Sequence, residues 1–345
     1  MIPIQNIYYM LSYAFQILNE QGYKNIATEQ FHNTAELMAA ILEKGIAIQL
    51  KRGLGKEYIP QTEALSSLRG KIDIAESIKT QSMLRKQLIC THDEFSVNSI
   101  MNQIIKSTVE LLLRSNISKQ RKKNLRKLMV YFSEVDFIDS YTVNWNVQYN
   151  RNNQTYRMLI SICYLVVKGL LQTQSNGHTK LMDFLDEQRM CRLYEKFILE
   201  YYRKEFKNQI TANASQIPWQ LDNEENSMLS VMQSDIMLQS GEKVLIIDAK
   251  YYEHSTQVQF DKHTLHSGNL YQIFTYVKNK EYELREKDHT VSGMLLYAKT
   301  DEEIYPNNVY QMSGNQITVR TLDLNLPFDE IAGQLNTIAK THFDL

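Results

Sequence analysis

The stretch Lys243-Val-Leu-Ile-Ile-Asp248-Ala-Lys250 is an apolar strand that ends in a carboxylate and an ammonium group. Side chains two residues apart on a strand point to the same face, so Asp248 and Lys250 project together. Charged side chains are rarely buried unless they have a partner or a function. The pattern therefore predicts a buried strand whose last residues form a functional site.

A second strand is predicted directly upstream, in Met228-Leu-Ser-Val-Met-Gln-Ser-Asp235-Ile-Met-Leu. The segment between the two strands has Gly241 where a two-residue hairpin turn prefers glycine. With Gly241 and the next residue as the turn, the register of the hairpin sets Asp235 opposite Asp248. The sequence therefore predicts that two carboxylates meet across neighbouring strands.

Two facing carboxylates repel each other unless they bind a cation or share a proton, and hard oxygen ligands suit Mg²⁺. A metal ion held by Asp235 and Asp248 can orient a phosphodiester and lower the pKa of an attacking water. Lys250 is predicted to position that water or to offset charge on the phosphate. The pattern indicates a metal-dependent nuclease. Because Asp-x-Lys is short enough to arise by chance, this interpretation depends on Asp235 and on the apolar strand.

A predicted helix follows the hairpin and contains Asn269-Leu-Tyr-Gln-Ile-Phe-Thr-Tyr276. Spacing of four residues places Gln272 and Tyr276 on one face of this helix. They are predicted to reach the metal site or the nucleic-acid backbone. The alternative, a half-buried pair whose polar groups bond to the backbone, remains open.

This set of residues resembles the PD-(D/E)XK nuclease superfamily, particularly its RecB-like branch. The resemblance implies that the catalytic residues are Glu195, Asp235, Asp248, Lys250, Gln272 and Tyr276, and that the metal ligands are Asp235, Asp248 and Ala249. Ser234 stands where the superfamily pattern has proline. For Glu195 the alternative is an exposed carboxylate on a helix.

Composition limits the class of protein. With 345 residues, 43% hydrophobic and 22% charged, the chain has the composition of a soluble globular protein with two domains. A formal net charge of −1 is unusual for a chain that holds DNA by itself, so either a local basic surface or another subunit is predicted to bind DNA. The chain lacks a phosphate-binding loop motif, so we do not expect it to hydrolyse nucleotides.

Cysteine usage and hydropathy indicate a cytoplasmic protein. Cys90, Cys163 and Cys191 have no metal-ligand spacing and cannot pair completely, so they are predicted to be reduced core residues. No apolar run of membrane-spanning length and no signal-peptide pattern occur, so no membrane contact is expected.

The first half of the chain is predicted to be mixed helix and strand. Predicted features, in order, are helices over about 4–18 and from Asn33, a basic loop over 51–56, a projecting hairpin or small barrel over about 57–80, and helices over 97–114, 118–129 and 157–171. The helix over 118–129 contains Lys119-Gln-Arg-Lys-Lys-Asn-Leu-Arg-Lys127. A solvated face is the favoured interpretation of this run and direct DNA contact the less favoured one. Tyr8, Tyr9 and Tyr13 recur at helical spacing and are predicted to be packing residues.

A polar linker over 172–179 predicts the boundary between two domains. After it come a long helix through Lys207, the hairpin, the helix with Gln272, strands near 291–297 and 316–322, and a helix after Pro327. The predicted fold class is α+β or α/β. Residues 1–175 form an N-terminal, partner-binding domain of helices and strands, and residues 180–345 form a PD-(D/E)XK domain with a mixed sheet flanked by helices.

Several stretches distributed over almost the whole chain resemble the McrC family, the nuclease subunits of McrBC methylcytosine-specific restriction systems. They are Ile2–Phe15, Lys51–Leu54, Leu68–Ile72, Asn102–Thr108, Met182–Phe184 ahead of Met190, Ser234–Asp235 and Ile247–Tyr252. The tyrosine-rich opening is more specific than the nuclease motif.

This resemblance implies a Mg²⁺-dependent endodeoxyribonuclease that cuts but does not choose its target. A partner AAA+ GTPase, McrB, forms a hexameric ring, binds GTP, and recognises double-stranded DNA that contains modified cytosine. The N-terminal domain docks into the ring and stimulates GTP hydrolysis, and residues 51–56 and the strands to about Ile74 are the predicted contact. The alternatives are a stand-alone RecB-like nuclease in repair or phage defence and a catalytically silent regulator of the GTPase.

Overall fold

The computed structural model describes residues 2–15, 18, 23, 26, 29, 31–139, 142–150, 153, 155–175, 187–223, 228–252, 257–259, 262–299 and 305–345. The chain divides into two compact units. The sheet unit consists of Met1–His32 and Asp183–Leu345, and the inserted unit consists of Asn33–Met182.

The α-helices are, in chain order, α1 (Ile4–Ala14), α2 (Thr34–Arg52), α3 (Ile74–Lys79), α4 (Ile100–Arg114), α5 (Lys119–Met129), α6 (Tyr156–Ser175), α7 (Glu187–Glu205), α8 (Ser267–Leu284) and α9 (Phe328–Phe343). The strands are β1 (Glu57–Leu65), β2 (Lys71–Asp73), β3 (Leu88–Ser96), β4 (Thr211–Asn213), β5 (Gln216–Ile217), β6 (Met232–Gln233), β7 (Ile236–Ser240), β8 (Lys243–Lys250), β9 (Gln257–Gln259), β10 (Lys262–Thr264), β11 (Thr290–Ala298), β12 (Asn308–Met312) and β13 (Asn315–Leu322). Short 3-10 helices cover Ser82–Arg85 and Val130–Phe132.

The inserted unit packs α2, α4, α5 and α6 together and adds a small antiparallel sheet in the order β1-β3-β2. Asn33 caps α2 as predicted, because its side chain accepts a hydrogen bond from the Glu36 amide. The predicted strand region, which extended to about residue 80, is correct for β1 and β2. In the structure the strands end at Asp73, whose side chain caps α3. The basic loop is shorter than predicted, since α2 continues through Arg52 and ends at Gly53, whose φ is 92°.

The sheet unit contains a mixed, six-stranded sheet in the order β12-β13-β11-β8-β7-β4. Strands β8, β11 and β13 are parallel, whereas β4, β7 and β12 pair antiparallel with their neighbours. Helix α8 packs on β8 and β11, α7 contacts β4, β7 and β8, and α9 contacts β13. The predicted mixed sheet with flanking helices is therefore confirmed.

Close contact between α8 and the sheet depends on Gly293 in β11. A Cβ atom at this position would lie 2.8 Å from Ile273, 2.9 Å from Val277 and 2.9 Å from Ile317. All three side chains are fully buried in the core between α8 and the sheet. The glycine therefore sets the distance at which α8, and with it Gln272, lies from the strands.

Helix α1 was predicted to belong to the N-terminal domain. The structure places it in the sheet unit, with the C-terminal half of the chain. Tyr9 and Tyr13 stack on Phe328, with ring centroids 4.5 and 5.7 Å apart. The Asn6 side-chain amide donates hydrogen bonds to the carbonyls of Leu324 and Leu326, each 2.8 Å long. The tyrosines are therefore packing residues, as predicted, but they pack against the C-terminal part of the chain.

The predicted linker over 172–179 begins too early, because α6 continues through Ser175. Residues 176–179, like the stretch Met182–Phe184, lie outside the described residues. No helix in the described part of the chain combines the length and the hydropathy needed to cross a membrane.

Candidate active site

The hairpin of β7 and β8 has the predicted register. Ser240 pairs with Lys243, and the ladder continues to Ile236 opposite Ile247. Gly241 occupies the turn with a φ of 57°, a conformation that glycine adopts without strain. One step further in this register are Asp235 and Asp248, at the open end of the hairpin.

Asp235 lies directly before β7, and its Oδ2 atom accepts a hydrogen bond of 2.9 Å from the Ala249 amide. The buried Ser234 orients this residue, because its amide donates to the Ser215 carbonyl at 3.0 Å and its hydroxyl to the same oxygen at 3.2 Å. Proline has no amide hydrogen and could make neither bond. The residue before Asp235 is therefore held by two hydrogen bonds that a proline there could not make.

Asp248 is 1% exposed and forms an ion pair with Lys250, whose Nζ lies 2.8 Å from Oδ2. Both carboxylate oxygens are buried and make no hydrogen bond with a described residue, so Oδ2 has only its ion pair and Oδ1 has no charged partner either. A buried carboxylate oxygen without a donor is energetically unfavourable. Oδ1 is therefore available to a ligand.

Burial raises the pKa of Asp248, and the charge of Asp235 raises it further, while Lys250 opposes both effects. The pKa of Lys250 is also raised: burial lowers it, but the neighbouring Asp248 outweighs that effect. Burial thus holds Asp248 towards its neutral form, and the carboxylates around Lys250 add negative charge to the site. A bound cation would favour the ionised form of both carboxylates.

Glu195 lies on α7, and the structure brings it into the same cluster. Its pKa is raised, first by burial and then by the charge of Asp235, and Lys250 acts on it in the opposite direction. The Cys191 thiol donates a hydrogen bond of 3.1 Å to Glu195 Oε1 and lies 3.9 Å from the Ala249 carbonyl oxygen. Glu195 is therefore a half-buried residue of the site and not an isolated surface carboxylate.

Cys191 is the one cysteine whose environment differs from the prediction. It is only half-buried, whereas Cys90 and Cys163 are buried core residues as expected. Burial, followed by the hydrogen bond with Glu195, raises its pKa to about 12, so the thiol stays protonated and acts as a donor. Its position four residues before Glu195 on a helix is the sequence signal that places it here.

Gln272 and Tyr276 join the site through a chain of hydrogen bonds. Lys250 Nζ donates to Gln272 Oε1 at 3.2 Å, and Gln272 Nε2 donates to the Tyr276 hydroxyl at 2.9 Å. The polar groups of Gln272 and Tyr276 bond to each other and to Lys250, and not to the backbone as one alternative had it. The pair therefore orients Lys250.

Sequence reasoning missed a second chain of hydrogen bonds beside this one. The Tyr252 hydroxyl donates to Asn269 Oδ1 at 3.3 Å, and Asn269 Nδ2 donates to the hydroxyl of the fully buried Tyr297 at 2.9 Å. Asn269, Gln272 and Tyr276 follow the i, i+3, i+7 spacing of one helix face, which was a usable signal.

The residues fit a magnesium ion in the type of their donor atoms. No three His, Cys, Asp or Glu side chains come together as a metal-binding group in the described residues. The available set is two carboxylates, Asp235 and Asp248, and the backbone carbonyl of Ala249. The Ala249 amide bonds to Asp235, and the Ala249 carbonyl oxygen lies 3.9 Å from the Cys191 sulfur, beside Glu195. Such an all-oxygen set suits Mg²⁺, with water completing the coordination.

Comparisons with known proteins identify relatives. The model of the family described as McrBC 5-methylcytosine restriction system component matches residues 5–298. The Escherichia coli (strain K12) protein described as type IV methyl-directed restriction enzyme EcoKMcrBC is 30% identical over 331 residues, which are 94% of this chain and 93% of the relative.

Two solved structures from Thermococcus gammatolerans are also similar. One is a half-complex of McrB AAA+ hexamers with bound McrC, with a TM-score of 0.49 and 18% identity over 97% of this chain and 76% of that one. The other is a McrBC complex, with a TM-score of 0.43 and 22% identity over 59% of each chain.

Proposed function

The chain belongs to the family of McrBC 5-methylcytosine restriction system components, and from this premise we propose that it is the subunit that cleaves DNA. The proposed reaction is metal-dependent hydrolysis of phosphodiester bonds. The observation that carries the proposal is the open end of the hairpin. There the charge of Asp235 adds to burial in raising the pKa of Asp248, Lys250 pairs with Asp248, and neither buried oxygen of Asp248 makes a hydrogen bond with a described residue.

The proposed division of labour follows from the hydrogen bonds. Asp235, Asp248 and the Ala249 carbonyl would hold Mg²⁺, which when bound orients the phosphodiester and lowers the pKa of a water molecule. The Ala249 amide fixes the carboxylate of Asp235. Because the pKa of Lys250 is raised, this residue stays an ammonium group, and its charge offsets the negative charge that develops on the phosphate. Gln272 and Tyr276 hold Lys250 in that orientation.

Glu195 has a separate proposed role. Its raised pKa makes it a better proton acceptor than an ordinary glutamate, and it lies close enough to Asp235 for their charges to interact. We therefore assign Glu195 to accepting a proton at the site or to orienting water there. The Cys191 thiol, which donates to its Oε1 atom, positions it.

The proposed partner is an AAA+ GTPase ring that recognises modified cytosine and whose GTP hydrolysis this chain stimulates. The T. gammatolerans structures are described as McrB AAA+ hexamers with bound McrC and as a McrBC complex. Support within this chain is a group of exposed apolar side chains on the small sheet, its β1–β2 loop, α3 and the 3-10 helix Ser82–Arg85 of the inserted unit. Exposed apolar side chains in number on one unit commonly mark protein-binding surfaces, and two of these, Tyr58 and Phe95, have their rings in contact. The group consists of Tyr58, Leu68, Ile72, Ile74, Ile78, Leu84 and Phe95.

A cleavage assay tests the nuclease proposal. Plasmid with and without methylated cytosine is incubated with the chain, Mg²⁺ and GTP, with and without the partner GTPase. We expect cleavage only with the partner, GTP and methylated DNA. Asp248→Ala should lower the rate at least about 100-fold, because it removes a carboxylate ligand of the proposed metal site. Asp288→Ala, which removes an exposed aspartate of the same unit, is the matched control.

The other outcomes correspond to the two alternatives. Cleavage by the chain alone, regardless of methylation, would identify a stand-alone nuclease. GTPase stimulation without any cleavage would identify a catalytically silent regulator. If Asp248→Ala cuts as fast as Asp288→Ala, the proposed site is wrong.

A further inference from the structure

Helix α5 has the most one-sided charge of the helices in the inserted unit. Its sequence, Lys-Gln-Arg-Lys-Lys-Asn-Leu-Arg-Lys-Leu-Met, contains six cations and no carboxylate. Ser118 caps its N-terminus, and Leu125 is its buried residue. The chain as a whole has a net charge of −1, so this concentration of positive charge is local.

One of the six cations has a structural role. Arg121 is mostly buried and forms ion pairs with Glu36 at 3.2 Å and with Glu43 at 2.9 Å, which join α5 to α2. The other five make no ion pair or side-chain hydrogen bond with any residue that the structure describes. Four of these are exposed and Lys122 is partly exposed; the five are Lys119, Lys122, Lys123, Arg126 and Lys127.

The exposed cations form one stripe. At about 100° of rotation per residue, Lys119, Lys123, Arg126 and Lys127 fall within an arc of about 100° on the side opposite Leu125. We call these four residues the basic stripe. A helix of 11 residues is about 16 Å long. Phosphates follow one another at about 3.4 Å along one DNA strand, so the helix is long enough to lie beside several of them.

Stability does not account for this arrangement. Lys119 and Lys123, as well as Lys123 and Lys127, are four residues apart, and like charges at this spacing destabilise a helix by about 0.2–0.5 kcal/mol per pair. Lys119 also lies in the first turn, where the helix dipole disfavours a cation. No carboxylate of α5 offsets these costs. The stripe lowers the stability of the free helix, and a bound polyanion would reverse that effect.

We propose that the basic stripe binds the phosphate backbone of duplex DNA without regard to base sequence. Lysine and arginine side chains in a row, without neighbouring carboxylates or fixed hydrogen-bond acceptors, match a regularly spaced polyanion better than a folded acidic surface. Only one part of this inference rests on the proposed nuclease function, namely that the polyanion is DNA. It supplies the local basic surface that a DNA-cutting chain with a net charge of −1 requires.

The test compares two triple variants in the Asp248→Ala background, which prevents cleavage. Lys119→Gln/Lys123→Gln/Lys127→Gln removes three charges from the stripe. The control, Lys207→Gln/Lys287→Gln/Lys340→Gln, removes three exposed charges from the sheet unit. Binding of each full-length chain to a fluorescent duplex is measured with the partner GTPase over a range of salt concentrations, with methylated and unmethylated cytosine.

We expect the stripe variant to lose affinity by the same factor on both duplexes. The slope of log K against log salt concentration should fall by about 1 for each phosphate contact, or about 3 in all. The control should keep the slope of the parent. Thermal melting of the stripe variant should occur at or above the temperature of the parent, since the repulsion has been removed.

An unchanged slope and affinity in the stripe variant would overturn the proposal. Weaker association with the GTPase, with unchanged DNA binding once the partner is saturating, would also overturn it and would assign the stripe to the protein partner. These results are independent of the nuclease proposal, because binding is measured without cleavage. If Asp248→Ala still cuts, the proposed active site is wrong, and the same binding comparison is made in a chelator, where cleavage that depends on Mg²⁺ cannot occur.

Discussion

Asp248 shows how a single residue acquires its chemistry from three neighbours. The strand buries it, Asp235 adds a second negative charge, and Lys250 supplies the only positive charge that directly pairs with it in the described residues. Without a cation the site favours the protonated carboxyl group, since the two effects that raise its pKa outweigh Lys250. The same residue is therefore destabilising in the metal-free protein, and the proposed cation would offset that cost.

A dependence of stability on pH follows from this shift. The pKa of Asp248 rises from its ordinary value of 3.8 to about 7 in the folded protein, so between these values the folded state binds more protons than the unfolded state. The free energy of unfolding of the metal-free protein should therefore increase as the pH falls from about 8 to about 5. Glu195, whose pKa is also raised, acts in the same direction. Melting curves in a chelator measure the effect.

Two controls isolate Asp248 in this measurement. Asp248→Asn should be more stable than the parent at pH 8 and should show a flatter pH dependence, because amide nitrogen and oxygen do not titrate in this range. Addition of Mg²⁺ to the parent should weaken the dependence, since cation binding favours the ionised carboxylates. Parallel curves for the parent and Asp248→Asn would show that the carboxylate pair does not act as described.

At the scale of elements, the site depends on how closely α8 approaches β11. The helix carries Gln272 and Tyr276, and its distance from the sheet determines whether Gln272 reaches Lys250. Gly293 permits the approach, because any side chain there would contact Ile273 and Val277. A glycine two positions along the sheet from the neighbour of Asp248 thus permits the packing that brings Gln272 to the site.

Two glycine substitutions should have opposite effects. Gly293→Ala should destabilise the protein by about 1–3 kcal/mol, because the added methyl group overpacks the core, and it should lower cleavage by displacing α8. Gly333→Ala is the control. It lies within α9 with no atom within 4 Å of the added Cβ, and alanine is a better helix former, so it should stabilise by about 0.5–1 kcal/mol. Urea denaturation measures both values. Equal effects of the two substitutions would contradict the packing argument.

At the scale of the whole molecule, the two compact units have different roles in the proposed function. The sheet unit contains the candidate active site, and the inserted unit contains the exposed apolar surface and the basic stripe. Tyr58 and Phe95 lie on paired strands of the inserted unit, with their rings 5.0 Å apart, and are 72% and 55% exposed. Exposure of two neighbouring aromatic rings is unfavourable in the free protein and favours a binding role.

Association with the proposed partner GTPase should depend on these two rings. Tyr58→Ala/Phe95→Ala should weaken binding at least about tenfold, since aromatic anchors often contribute 2 kcal/mol or more to an interface. Its melting temperature should change little, because the rings are mostly exposed. Tyr282→Ala/Tyr305→Ala removes two exposed tyrosines from the sheet unit and is the control. Equal affinity of both double variants, measured by titration calorimetry, would place the contact elsewhere.

Much of the hairpin was predictable from local sequence. The position of Gly241 determined the turn, and the period of two on a strand then determined which side chains share a face. Helix caps such as Asn33 were equally readable, because the capping hydrogen bond spans only three residues. The strand order of the sheet could not be read from the sequence, and neither could the edge strands β4 and β12. Short strands have little pattern of their own and pair with distant segments.

The sequence by itself determined the register that sets Asp235 opposite Asp248, the spacing of Gln272 and Tyr276, and the run of cations on α5. Each of these depends on backbone geometry over a few residues. Only the tertiary structure decided that α1 packs with the C-terminal helix, that Cys191 donates to Glu195, and that Arg121 is neutralised by Glu36 and Glu43 while its neighbours remain exposed. Burial and ion pairing depend on which distant segments come together, and that is determined by the packing of the whole core.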